Sequence, residues 1–332
     1  MTSRLMALRC PSVYRPGVRI GALIGIVAAL LLGILPAHAQ KRVALSFDDA
    51  PRQRGAFMTP DQRTEALIAA LRRAGVKQAA FFLNPGNLYD DDDGVGGARR
   101  IAAYVAAGHV IANHTWDHPH LNAMTAKAYL ADIDRAAAWL KGRRGYRPWF
   151  RFPFLDEGGR DKAKRDAVRA GLIARHLQSG GYVTIDGSDW NMDALTTAAI
   201  KAGKPVDLNA LRDLYVETLV GAADFYNDLA VRTLGRSPAH VMLLHETDLN
   251  ALYVEDLVAA LRADGWEIIT ADEAYADPIA KAAPDVPSAN GTRTELMAWE
   301  KGLPAPRWYE RDDLSVANPL FARRVLHETA VP

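Results

Sequence analysis

The chain has 332 residues, 49% of them hydrophobic, with 40 basic against 39 acidic side chains and a formal net charge of +1. That much apolar sequence can bury a large core, in one big domain or two small ones. The near-neutral balance points to no nucleic-acid partner, and a single cysteine excludes a disulfide framework or a cysteine zinc site.

The first forty residues stand apart. Arg4, Arg9, Arg15 and Arg19 precede an unbroken apolar run from Ile20 to Leu35, and Pro36-Ala-His-Ala39 gives the small-x-small pattern cut before Gln40. We read residues 1–39 as a signal peptide, because the run is short for a bilayer span and ends in a cleavage pattern. Cleavage removes four arginines and Cys10, leaving 36 basic and 39 acidic residues, a net charge of −3, and no thiol nucleophile. The expected product is a soluble periplasmic or secreted protein, with no membrane attachment after cleavage.

Beyond that point strands and helices alternate. Lys41 to Phe47 reads as a buried strand ending in Asp48-Asp49, followed by a helix opened by Pro60 and closed at Gly75. Strands are expected at Gln78 to Leu83, His109 to Ala112, Trp149 to Phe152, Tyr182 to Ile185, Ala239 to Leu244 and Trp266 to Ile269. Between them helical spacing covers Arg99 to Ala107, Ala126 to Lys141, Arg160 to Leu177, a long segment from Val206 to Leu234, and Ala251 to Ala263. Seven strands alternating with helices predict an α/β fold with a parallel, barrel-like sheet. After Asp277 the rhythm breaks into a proline-rich segment that carries Pro278, Pro284, Pro287, Pro304, Pro306 and Pro319, expected as an extended C-terminal wrap rather than a second domain.

Chemistry collects on one side of this pattern. His114 and His118 are four residues apart, a spacing that on a helical turn would put both imidazoles on one side and within reach of one metal ion. The adjacent Asp48 and Asp49 offer the missing carboxylate. Three protein ligands with an open position suit a catalytic rather than a structural zinc site. The first strand ends in Asp48-Asp49, the third in the two histidines, the fourth in Arg151-Phe-Pro-Phe154, another in Asp186-Gly-Ser-Asp189-Trp190, and the next in Leu244-His245-Glu246. In a parallel α/β barrel these ends share one rim, where functional groups gather. His109 and His120 read as structural or solvated, and the acidic run Asp90 to Asp93 as a solvated loop.

Ser46-Phe-Asp-Asp49, His114-Thr-x-x-His118, Arg151-x-Pro-Phe154, Asp186-x-x-Asp-Trp190 and Leu243-Leu-His245 together resemble the ordered motifs of the polysaccharide deacetylases, also called the NodB-homology or carbohydrate esterase 4 family. The resemblance spans roughly residues 41 to 275. It implies a distorted (β/α) barrel over residues 40–276 with a C-terminal extension over 277–332. It also implies a divalent metal, zinc above all, and hydrolysis of N-acetyl groups on the amino sugars of a polysaccharide or oligosaccharide. By the same resemblance Asp49, His114 and His118 are metal ligands, Asp48 is the general base, His245 the general acid, and the Phe154 backbone an oxyanion donor. Asp189 is the candidate partner of His245 and Arg151 of Asp48, with the reverse pairing left open. Trp190 and Leu244 are candidates to wall the acetyl pocket, with ordinary core packing an equal reading. Hydrolysis of a non-carbohydrate amide, and noncatalytic carbohydrate binding, are the competing functions.

Overall fold

The computed structural model describes residues 40–89, 91–177 and 181–328; the expected signal peptide, Cys10 included, lies outside them, as do Asp90 and Gly180. Strand β1 (Arg42–Ala50) is the centre of the fold. Its side chains alternate between two buried sets: Val43, Leu45 and Phe47 pack with the surrounding helices, whereas Ala44 faces a second cluster with Phe82, Ala112, Trp149 and Leu243. A strand apolar on both faces belongs inside a parallel sheet. β2 (Ala80–Leu83), β3 (Val110–Asn113) and β4 (Tyr146–Phe150) follow β1 on one side. β5 (Asp156–Gly159) lies outside this sheet, β6 (Ala239–His245) flanks β1 on the other edge, and the two-residue β7 (Glu267–Ile268) pairs with the start of β1. All pairings in the six-stranded sheet are parallel.

The expected strand over Tyr182 to Ile185 is reduced to an isolated bridge between Ile185 and Met242. The Thr184 side chain explains the loss, since its Oγ1 accepts the Val241 N–H at 2.8 Å and so takes a bond that a regular ladder would use. Beside it Gly181 passes so close to β4 that a Cβ there would lie 2.4 Å from the Phe150 carbonyl oxygen. The ring is therefore a distorted barrel of six strands, with a bridge where the seventh was expected.

The helices Pro60–Arg73, Gly97–Ala106, Ala126–Leu140, Lys162–Ala174, Leu208–Leu234 and Asp248–Ala263 fall close to the predicted positions. A helix over Asp189–Lys201 was not foreseen. Nor is the C-terminal segment merely extended. β8 (Ala289–Asn290) pairs antiparallel with β5, and helices Arg293–Glu300 and Leu314–Val325 send Leu296, Phe321 and Val325 into buried clusters. Among the described residues no helix is long and apolar enough to cross a membrane.

Candidate active site

In a regular strand Asp48 and Asp49 would point to opposite faces. They do not, because Asp49 has a left-handed backbone (φ 64°) and the β1–β2 register slips between Phe47 and Ala50. Both carboxylates consequently approach the same imidazole: His114 Nε2 lies 3.5 Å from Asp48 Oδ2 and 3.6 Å from Asp49 Oδ1. His118 Nε2 lies 3.0 Å from the same Asp49 oxygen, which is buried without a hydrogen-bond partner. The ligand atoms of Asp49, His114 and His118 all fall within 4.8 Å of one another.

The histidines reach this arrangement from a loop, and the expected helical turn is absent. Side chains have taken the N–H groups that a helix would pair internally. Asn113 accepts from Thr115 N–H, Asp132 from the N–H groups of Trp116 and Asp117, and Thr115 Oγ1 from His118 N–H. Thr115 (φ 69°) and His118 (φ 53°) adopt left-handed conformations that turn the second ring back toward the first. Asp117 leaves the site altogether and pairs with Arg135 at 2.8 Å.

This constellation fits a divalent cation. His114 Nδ1 contacts the Arg151 carbonyl oxygen at 2.9 Å, so the ring donates there and Nε2 is left as a bare lone pair aimed at Asp49. Burial pushes the Asp49 carboxyl up, but His114, His118 and the Arg52 guanidinium hold it well below the usual carboxylate range. An anionic oxygen and two imidazole nitrogens at mutual contact distance are the donor set that zinc and its relatives take.

Two further pairs flank the cluster. Arg151 Nη1 donates to Asp48 Oδ1 at 2.5 Å, while its Nε and Nη2 donate to the Gly181 carbonyl and the Tyr275 hydroxyl. Asp48 is almost fully buried, so these bonds fix one carboxylate oxygen and leave Oδ2 facing His114. On the opposite side, Asp189 Oδ1 lies 2.7 Å from His245 Nδ1, and its Oδ2 accepts the His245 N–H at 2.8 Å and an Asn250 amide N–H at 2.6 Å. Burial lowers the His245 pKa, but the Asp189 carboxylate, with smaller help from Asp49 and Asp48, raises it to about 9. Of the two pairings open in the sequence, the protein makes Asp48 with Arg151 and Asp189 with His245.

A cavity of about 590 Å³ opens beside the cluster, lined on one side by Asp49, His118 and Asn84 and on another by the helix Asp189–Lys201, beginning with Trp190. Trp190 is 41% exposed. Leu244, expected as a second wall, is fully buried in the core with Phe47 and Leu249. Strand alternation explains this, since Leu244 and His245 point to opposite faces of β6. Phe154 is 53% exposed with a left-handed backbone (φ 58°), its ring stacked at 3.5 Å on His120 and 4.5 Å from His118. His109 is structural: burial lowers its pKa to about 4, and its Nδ1 accepts the Ala79 N–H.

Several contributors were not singled out from the sequence. Arg52 Nη1 pairs with Asp49 Oδ2 at 2.7 Å. Its own N–H is held by Glu246, which also accepts the Tyr104 hydroxyl. Arg63, fully buried, donates to Asp248 and to the carbonyls of Arg52 and Gln53. Gly55 lies so near Asp248 that a Cβ would fall 2.3 Å from its Oδ2. The clue available was Glu246 and Asp248, two acids directly behind an apolar strand; their partners lie nearly two hundred residues upstream.

Fold and site together define an α/β protein with an Asp-His-His cluster at one sheet rim, set between a buried Asp–Arg pair and a buried His–Asp pair. Residues 36–172, less than half of the chain, match the family model described as polysaccharide deacetylase. The chain is 23% identical over 245 residues to a peptidoglycan-N-acetylglucosamine deacetylase of Listeria monocytogenes, a match covering 73% of this chain and 41% of the relative. It is 26% identical over 244 residues to chitin deacetylase 3 of Cryptococcus neoformans, covering 71% of this chain and 48% of the relative. The chain thus spans less than half the length of these curated relatives. Among solved structures it is similar to a family 4 carbohydrate esterase from Streptomyces lividans in complex with acetate, with 21% identity, a TM-score of 0.45, and coverage of 74% of this chain and 100% of that one.

Proposed function

We propose that this protein is a metal-dependent deacetylase that hydrolyses the N-acetyl groups of N-acetylglucosamine units in an envelope or extracellular polysaccharide. The observation that carries the reading is the convergence of Asp49, His114 and His118 on one point, with Asp48 on one flank and His245 on the other. In this reading those three residues hold a divalent ion, zinc by its donor set. When bound, such an ion supplies Lewis-acid polarisation of a carbonyl and makes a neighbouring water acidic enough to ionise near pH 7.

The chain's own groups then divide the proton work. Asp48 Oδ2 accepts a proton from the attacking water, its carboxylate held in place by Arg151. The backbone N–H of Phe154 is assigned to the developing oxyanion. An amide nitrogen leaves only when protonated. His245 carries that proton at neutral pH because Asp189 holds it there, and its Nε2 delivers it to the departing amine. Trp190 packs beside the acetyl group. The roles of Asp48, His245, Arg151, Asp189, Phe154 and Trp190 are part of the proposal, as are export through residues 1–39 and the division into a catalytic domain (40–276) and an extension (277–332). Hydrolysis of another amide would use the same groups. A noncatalytic carbohydrate-binding role would have no use for two buried proton-transfer pairs.

The deciding measurement is acetate release from N-acetylglucosamine oligomers by purified protein. Wild-type activity should be lost in both Asp48→Asn and His118→Ala, with bound metal retained only in the former. Absence of acetate release by wild-type protein carrying one equivalent of metal overturns the proposal.

A further inference from the structure

The pair formed by His245 and Asp189 does not end at the carboxylate. Asp189 is fully buried, and His245 is its one ion-pair partner among the described residues. Once His245 has delivered its proton, that negative charge stands in a dry site with no cation paired to it, and neutral donors must carry it. Two converge on Asp189 Oδ2: the His245 backbone N–H at 2.8 Å and the Asn250 amide at 2.6 Å.

Asn250 lies fully buried in the first turn of the helix Asp248–Ala263. Its Nδ2 has two hydrogens, and the nearest acceptors for them are Asp189 Oδ2 and the His245 carbonyl oxygen at 2.8 Å. Neither can donate, so the amide is fixed with Oδ1 on its other side. There it accepts the hydroxyl of Tyr215, brought in by the long helix Leu208–Leu234. Tyr215 is also fully buried, and burial together with the Asp189 charge keeps its proton on, so the hydroxyl remains a donor. The bonds therefore run one way, from Tyr215 through Asn250 to Asp189, and hydrogen bonds in such a chain polarise one another.

We propose that Asn250 and Tyr215 are positioning residues for the proton transfer: they spread the Asp189 charge and so limit how tightly that carboxylate holds the His245 proton, leaving the imidazolium able to give its Nε2 hydrogen to the departing amine. This rests on the deacetylase reading and adds two residues to its acid side. The direction of the effect separates it from ordinary core bonding. A carboxylate that loses a donor becomes more basic and makes the imidazolium harder to deprotonate, whereas a merely loosened site admits water and returns the ring toward 6.5. The other carboxylates acting on the ring, Asp48 and Asp49 on β1 and Asp186 ahead of the helix Asp189–Lys201, are common to the wild type and the variants below.

The test uses purified protein loaded with zinc. Tyr215→Phe removes only the hydroxyl, and Asn250→Leu removes the amide at similar size. For acetate release from N-acetylglucosamine oligomers, kcat should fall about threefold or more in Tyr215→Phe and about tenfold or more in Asn250→Leu, with KM within about twofold of the wild type. An NMR titration of the His245 ring should show its pKa raised in both. In an Asp189→Asn background the charge that the chain serves is gone, so adding Tyr215→Phe should cost less than about twofold further. An unchanged kcat in Tyr215→Phe, a ring pKa that falls, or an undiminished effect in the Asp189→Asn background overturns the proposal. Should Asn250→Leu fail to fold, Tyr215→Phe decides alone. If the wild type releases no acetate, the deacetylase reading has failed and the ring titration decides the chain separately: a raised pKa in Tyr215→Phe supports it, and an unchanged or lowered one overturns it.

Discussion

Asp189 governs what His245 can do. An isolated imidazole has a pKa near 6.5, and burial alone would lower it; the contact at 2.7 Å reverses the sign and raises it to about 9. A donor with a raised pKa is protonated below that value and loses its proton as pH climbs through it. The alkaline limb of acetate release should therefore lie between 6.5 and about 9, below the upper figure because a bound cation offsets the contribution of Asp48 and Asp49. In Asp189→Asn the limb is expected to move down toward or below 6.5, with kcat/KM at neutral pH reduced by about 10²-fold or more. The pH–rate profile measures the limb, and an NMR titration of the His245 ring reports the same pKa without turnover. An unmoved ring pKa in the variant would show that Asp189 does not tune the imidazole.

At the scale of elements, the C-terminal segment matters through Asp312. It sits in the turn Glu310–Asp312, accepts the Ser188 hydroxyl on Oδ1 and the Tyr226 hydroxyl on Oδ2, both at 3.0 Å, and so braces the turn that holds Asp189. Ser188 is itself left-handed (φ 51°) and Asn191 is bonded to Asn318, giving the turn a second brace from the helix Leu314–Val325. Burial, with the nearby carboxylates of Asp186 and Glu295, pushes the Asp312 carboxyl well above its ordinary 3.8. A folded state that binds this proton more tightly than the unfolded chain loses stability as pH rises above 3.8 toward the raised value. Asp312→Asn removes the titration while keeping a side-chain acceptor and donor. Its melting temperature should fall less than that of the wild type between pH 5 and pH 8, as measured by calorimetry. Parallel curves for the two proteins would count against a protonated Asp312.

For the molecule as a whole, a metal held only by the native arrangement must stabilise the fold. Asp49 and the two histidines are some 65 residues apart in sequence and meet only after β1, β3 and the intervening helices have packed. A ligand at a hundred times its Kd adds about 2.7 kcal/mol to unfolding. Zinc should therefore raise the melting temperature of chelator-treated wild-type protein and leave that of His114→Ala almost unchanged. Equal shifts in both proteins would place the ion elsewhere.

The sequence by itself determined the alternation of strands and helices, the position of β1, β3 and β6, and the common rim on which Asp48, Asp49, His114, His118, Arg151, Asp189 and His245 stand. These are local properties, because apolar period, glycine stops and the parallel-sheet rule act within short windows. Tertiary structure decided the rest. Only the left-handed Asp49 brings two neighbouring aspartates to one imidazole, and only side-chain acceptors from Asn113 and Asp132 keep His114 and His118 on a loop instead of a helix. The helix Asp189–Lys201 that walls the cavity, the retreat of Leu244 into the core, and the bracing of Ser188 by Asp312 each depend on partners many residues away. Such contacts form only once the chain has closed on itself, so no window of neighbouring residues could have contained them.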